Sequence, residues 1–431
     1  MDLSPIKEDF LHYLWRLKKI NTHDLVTTDG KLINIVHFGT YNTDSGPDFF
    51  NAKIGIDGTV WAGNIEMHVF SSDWVRHRHQ HDKAYENVIL HVVYEHDLKD
   101  HNSLVQNIPT IELKGKIPKS YLDTYLHLMQ SSATIPCSNN IRYIDHQKIE
   151  FWKYALVIER LQSKSEHIHT IFDQCGQDWE STLYVILARY FGSKVNTEPF
   201  EMVAKSLPLS YIFKNKNNRE TIDALVFGQA GMLMADYKDD YFMALKKEYQ
   251  HQQAKYMLSP INPVAWKFSK MRPINFPTVR LAQFSALLYK VSYLFSQIKE
   301  SESPADIKAI LTSKPHEYWD DHYRFGIESI HINKRISDDF IDLLIINAVA
   351  PVLYFYGKVN NEERFIDKSI QLLESVGSEV NNIVDEWKAL GLKSKTGFDS
   401  QAMIQLKTKY CSNFKCLDCK IGHEIMNLDR N

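Results

Sequence analysis

Asp48 and Glu66 are eighteen positions apart in this 431-residue chain, and His68 follows the second by two. Asp48 leaves a Gly46-Pro47 turn, and Glu66 and His68 sit in the run NIEMHVF at 64–70. There Ile65, Met67 and Val69 are apolar, while Glu66 and His68 share the other parity. On a strand of period two the apolar set enters a core, and the carboxylate and imidazole point together at the opposite face. A turn-borne Asp beside a strand-borne Glu offers oxygen donors to a hard divalent cation, Mg²⁺ or Mn²⁺. Such an ion neutralises a phosphate and delivers an in-line water, which is what phosphodiester cleavage requires. His68, with an ordinary pKa of about 6.5, suits proton transfer near neutral pH, or ligation of the ion itself.

Three other groups carry chemistry. His77, His79 and His81 precede Asp82, with His91 beyond. In a helix His77 and His81, four apart, share a face, a spacing that suits paired metal ligands or contact with a phosphate. Near the end, Cys411, Cys416 and Cys419 are spaced C-x4-C-x2-C with His423 four positions on. These thiolates suit zinc or an iron–sulfur cluster, with Cys137 or His423 as the fourth ligand. Between 251 and 299 stand seven Lys or Arg (255, 267, 270, 272, 280, 290 and 299) and no Asp or Glu. Lys267, Lys270, Arg272 and Arg280, interleaved with Trp266, Phe268 and Phe276, are candidate nucleic-acid contacts. The same stretch also reads as a loop of snorkelling cations.

The elements that must position these residues follow from periodicity. Ser4-Pro5 opens a helix carried by Ile6, Phe10, Leu14 and Leu17, with Glu8 on it. Asp29-Gly30 and Asp57-Gly58 each join two strand-like runs into a hairpin. A helix is expected over 71–85, a strand buried on both faces over 88–94, and an edge strand within 103–113. Helical periodicity then takes over at 147–171, 178–191, 199–207, 219–232, 237–252, 278–299, 304–311, 337–356, 362–373, 381–390 and 400–410. The fold class is therefore α+β, an α/β domain over 1–119, a junction over 120–146 and an all-α domain over 147–431.

Composition bounds the rest. Five cysteines in a chain this long argue against a disulfide scaffold. No run of eighteen apolar residues is present, and the start MDLSPIKEDF lacks the features of a signal peptide, so a cytoplasmic location without a membrane partner is expected. The net charge of −3 gives no global attraction to nucleic acid, and any such binding must be local.

The order helix, hairpin strands, Pro47-Asp48, then Glu66-x-His68 resembles the core of the PD-(D/E)XK nucleases, a restriction-endonuclease-like fold, over roughly the first hundred residues. The resemblance implies that Asp48 and Glu66 bind the metal and that Glu8 assists. His68 would stand where that superfamily usually has Lys and act on the attacking water. It implies DNA or RNA cleavage, or a nucleic-acid-binding or scaffold protein on the same fold whose catalysis has lapsed. Over nearly its full length the chain also resembles an uncharacterised bacterial family, a domain of unknown function. That likeness rests on GPDF at 46–49, GNIEMH at 63–68, DWESTLY at 178–184, FGQAGML at 227–233, RPINFP at 272–277 and the terminal cysteines.

Overall fold

The turn at Asp57-Gly58 sets the register of the N-terminal sheet, because both residues take positive φ, 45° and 82°. That backbone is the two-residue hairpin turn whose twist matches its flanking strands. The computed structural model describes residues 5–98 and 108–428. Its first elements are α1 (Glu8–Arg16), β1 (Ile33–His37), β2 (Thr40–Tyr41), β3 (Phe49–Ile56) and β4 (Thr59–Phe70). They continue with α2 (Asp73–Arg76), β5 (Val88–Glu95), β6 (Thr110–Glu112) and α3 (Lys119–Met129). The sheet order is β1-β3-β4-β5-β6, with β2 also on β3. β1, β3 and β4 run antiparallel, whereas β4, β5 and β6 run parallel. The architecture is α+β, a sheet followed by a large helical part.

The chain divides into two compact units, 1–152 with 406–431, and 153–405. The segment 406–431 thus clusters with the sheet, although periodicity alone ran the helical part to 431.

In the first unit α1 buries Phe10, Leu11, Tyr13, Leu14 and Trp15, and Trp15 donates its indole N–H to Phe38 O at 2.8 Å. Ser4, the expected cap, lies outside the described residues, as do positions 103–107 of the expected edge strand. The rest of that strand is β6. β5 is VILHVVYE, an almost unbroken apolar run, as a strand between two parallel neighbours must be. Gly63 is required where β4 meets it: a Cβ there would lie 2.6 Å from Asn87 O and 2.4 Å from Ile89.

The helix expected over 71–85 is a correction. Only Asp73–Arg76 is helical, Arg78 turns left-handed (φ 64°, ψ 29°), and two 3₁₀ turns follow at His79–His81 and Lys83–Tyr85. Asp97 holds the start of this segment, accepting from Ser72 N–H at 2.9 Å and from the Ser71 and Ser72 hydroxyls at 2.9 and 2.6 Å.

The second unit is helical, with short strands His322–Arg324 and Ile327–Glu328 as its hairpin. The helix expected over 278–299 is two, Pro277–Lys290 and Leu294–Glu300, parted at Tyr293 (φ 53°). Glu180 makes the break stable by accepting the N–H groups of Phe295 and Ser296, both at 2.8 Å, at the second helix's N-terminus. Within Asp338–Asn360, Pro351 lacks an N–H, and the helix widens to a π turn over Ile345–Val349 just before it. Lys164 donates to the Ile346 carbonyl at 3.3 Å. This helix is long and apolar enough to cross a membrane by length and composition, and 78% of its most apolar stretch is buried.

Candidate metal centre

Strand register brings the two carboxylates together. Phe49 pairs with Ile65 across β3 and β4, so one step back Asp48 stands opposite Glu66. A bulge between Phe49 and Ala52, with Asn51 at φ 57°, re-aims the strand just there. Asp48 N–H donates to Glu66 Oε2 at 3.2 Å, and Met67 N–H donates to Asp48 Oδ2 at 2.8 Å. Each carboxylate is thus fixed by the other's strand.

The loop that delivers Asp48 is clamped by Asn42. Its amide Nδ2 donates to the carbonyls of Asp44, Ser45 and Pro47 at 3.1, 3.3 and 3.0 Å, and its own N–H donates to Asp48 O at 2.8 Å. Asn42→Ala is expected to cost about 1–2 kcal/mol by thermal unfolding, since three carbonyls lose one shared donor. An unchanged melting temperature would show that the loop holds itself.

α1 contributes Glu8 and His12, four residues apart on one side. His12 Nε2 lies 3.2 Å from Asp48 Oδ2. Burial pulls the His12 imidazole down, but Asp48, Glu8 and Asp9 outweigh it and hold its pKa above the usual value. Glu8 is raised by burial and then by the charge of Asp48. Sequence reasoning found Glu8 and missed His12, whose signal was the i, i+4 spacing from Glu8.

The far face of β4 is covered, not open. Glu66 and His68 are 5% and 1% exposed. His68 Nδ1 lies 2.9 Å from His91 Nε2, and its Nε2 lies 3.2 Å from His77 Nδ1 and 3.5 Å from Glu66 Oε1. His79 Nε2 is 3.3 Å from the same Glu66 oxygen, and its ring stacks on Tyr85 with centroids 3.9 Å apart. Burial, then the neighbouring imidazoles, push His68 down to about 2 and His91 to about 3, so both are neutral. The expected pair His77 and His81 does not form, because the left-handed Arg78 turns His79 back while His81 stays exposed.

Glu66 is held well above the usual carboxylate range, first by burial and then by the charges of Asp48 and Glu8, against the Asp48 N–H and His12. Without a cation the folded protein therefore keeps a proton that the unfolded chain releases above about pH 4.5. More protons bound in the folded state mean that stability falls as pH rises through neutrality. His68 and His91 act oppositely only below about pH 6.5, where unfolded imidazoles titrate. His12 falls in the same direction as Glu66. From pH 7 to 8.5, chelator-treated protein is expected to lose thermal stability. Glu66→Gln should flatten that loss, and Mn²⁺ should reverse it by replacing the proton. Equal slopes for wild type and variant would contradict the shift.

The thiols converge in the first unit. Cys137, Cys411, Cys416 and Cys419 are buried and line one small cavity with Pro136, Tyr410, Lys415 and Gly422. Gly422 has no room for a Cβ, which would meet Cys416 O at 2.0 Å. His423 is not among the lining residues; its ring packs edge-on against Tyr13 at 5.8 Å. Of the two residues expected as a fourth ligand, Cys137 is the one that shares this cavity with the other three thiols. Burial and then neighbouring thiols push Cys137 and Cys416 up to about 12, and raise Cys411 as well; burial also raises Cys419.

In the second unit, Lys267, Lys270 and Arg272 are exposed. Arg280 is not available: its guanidinium donates to Gln283 and Asn275, both at 2.7 Å, and lies over the Phe340 ring. The aromatics are partnered too. Trp266 donates to Ala230 O at 2.7 Å, and Phe268 and Phe276 flank Arg324 at 4.4 and 4.7 Å.

Residues 8–382 match the family described as "Protein of unknown function (DUF2851)". No curated protein matches the chain, and no solved structure does. The chain belongs to that family.

Proposed function

We propose that this member of the family is a divalent-metal-dependent phosphodiesterase of nuclease type. The observation that supports it is the pairing of Asp48 with Glu66 across β3 and β4, each carboxylate fixed by a backbone N–H of the other strand. Mg²⁺ or Mn²⁺ between them would bind the scissile phosphate and supply the attacking water. His12, which lies against Asp48 and lines a cavity, replaces His68 as the imidazole proposed for proton transfer, since His68 is enclosed by other histidines. Glu8 adds negative charge beside the ion. Exposed Lys267, Lys270 and Arg272 supply salt-dependent phosphate affinity.

A cavity of about 300 Å³ beside His12, lined also by Lys7, Arg16, Lys415, Tyr41, Asp9 and Asp418, favours a second reading. It has the size for a small phosphoester, and three cations that could meet one. Full-length protein with Mn²⁺ against single- and double-stranded DNA, RNA and a small aryl phosphodiester separates the two. Cleavage of polymer supports the nuclease, and cleavage of the small ester alone supports the second. Nucleic-acid binding that survives chelation, with no cleavage of any substrate, would mark a protein whose catalysis has lapsed.

The four thiols form, in this reading, a structural zinc or iron–sulfur site tying the tail to the 136–137 loop.

A further inference from the structure

His68, His77 and His79 each offer a ring nitrogen, and these three nitrogens lie within 4.8 Å of one another. We infer that His68 Nε2, His77 Nδ1 and His79 Nε2, with Glu66 Oε1, form a binding site for one transition-metal ion of the zinc class. The site is separate in chemistry from an oxygen-ligated Mg²⁺ or Mn²⁺ at Asp48, although Glu66 belongs to both. It goes beyond phosphodiester cleavage and does not depend on it.

Distances carry the inference. Ligands about 2.0–2.1 Å from a tetrahedral ion stand about 3.3–3.4 Å from one another. The separations here are 3.2 Å for His68 to His77, 3.3 Å for His79 to Glu66 and 3.5 Å for His68 to Glu66. His79 Nε2 is buried and has no hydrogen-bond partner among the described residues, so a nitrogen lone pair or N–H is aimed at this point without a protein acceptor in proper geometry. A buried polar atom left that way is costly. A ligating histidine is ordinarily oriented through its other nitrogen, and His68 Nδ1 has His91 Nε2 at 2.9 Å for that purpose.

The backbone is shaped to the same end. His77 and His79 are two apart, a spacing that parts side chains in a helix. Arg78, left-handed at φ 64° without being glycine, folds the two imidazoles toward His68. Such a backbone is disfavoured for a residue with a Cβ and persists where the surroundings require it. Trp74, 2% exposed, walls the group, with ring centroids 5.3 Å from His79 and 6.3 Å from His68. Three imidazoles and one carboxylate suit Zn²⁺, Co²⁺ or Fe²⁺ far better than Mg²⁺.

Cobalt(II) added to the chelator-stripped full chain reports this site by its visible d–d bands. Thiolate charge-transfer bands in the near ultraviolet report the cysteines separately. The expected result is one equivalent with nitrogen and oxygen ligation. His77→Ala and His79→Gln should weaken it by about 100-fold or more. His81→Ala should leave it intact. His77 is exposed, so its variant is expected to fold, and circular dichroism verifies that. Absence of these bands in the wild type, bands unchanged in both His77→Ala and His79→Gln, or bands lost with His81 would overturn the site. No substrate is involved: a protein that cleaves nothing yet shows histidine-dependent bands sinks the hydrolase reading and upholds this one.

Discussion

Asp48→Asn is expected to lower Mn²⁺-dependent phosphodiester cleavage by about 10³-fold or more, while the protein still folds. A loss of that size corresponds to about 4 kcal/mol of barrier. The asparagine carbonyl still accepts from Met67 N–H, so the β3–β4 register survives. What disappears is one formal charge of the carboxylate pair proposed to hold the ion. The same change relieves the repulsion that holds the Glu66 proton. Metal-free protein should then be more stable at pH 8, and metal-loaded protein less so. Asp48→Ala removes both the charge and the acceptor and is expected to lose stability as well. A wild-type rate in Asp48→Asn would detach the carboxylate from catalysis.

Cys411→Ser is expected to remove the bound metal or cluster and, with it, about 4 kcal/mol of stability. That is the linkage contribution of a ligand present at a thousandfold its dissociation constant. The four thiols are buried, and the protein keeps them protonated in the absence of a cation. Binding must therefore displace those protons. Cys137→Ser should have the same effect as Cys411→Ser. His423→Ala should change neither metal content nor colour, because His423 lies outside the ring of cavity residues. Cys175, half-buried in the other unit, serves as the control thiol. Metal and iron content of anaerobically purified protein, with its visible spectrum, check these three variants and a Cys175→Ser control. Full metal content in Cys137→Ser would transfer the fourth ligand elsewhere.

Local signals were legible and long-range ones were not. Asp57-Gly58 announced its hairpin, and the alternation of 64–70 placed Glu66 and His68 on one face of β4. Alternation says nothing about what covers that face, which is why its enclosure by histidines and Trp74 needed the structure. The helical reading of 71–85 failed because Arg78 takes a conformation that favours glycine, and nothing local marks it. Asn42 escaped notice for a related reason, as its three carbonyl partners sit in an irregular loop with no period to read. The break at Tyr293 depends on Glu180, more than a hundred positions earlier, capping the helix that follows. Arg280 looked like a phosphate contact from charge alone, yet its partners are an amide on each side and a phenyl ring.

Crystals of the full chain grown with Mn²⁺, with anomalous scattering collected at the manganese edge, locate the ion itself. The expected map has a peak within about 2.3 Å of oxygens from both Asp48 and Glu66. A protein saturated with Mn²⁺ whose peaks avoid Asp48 would contradict the carboxylate pair as a cation site.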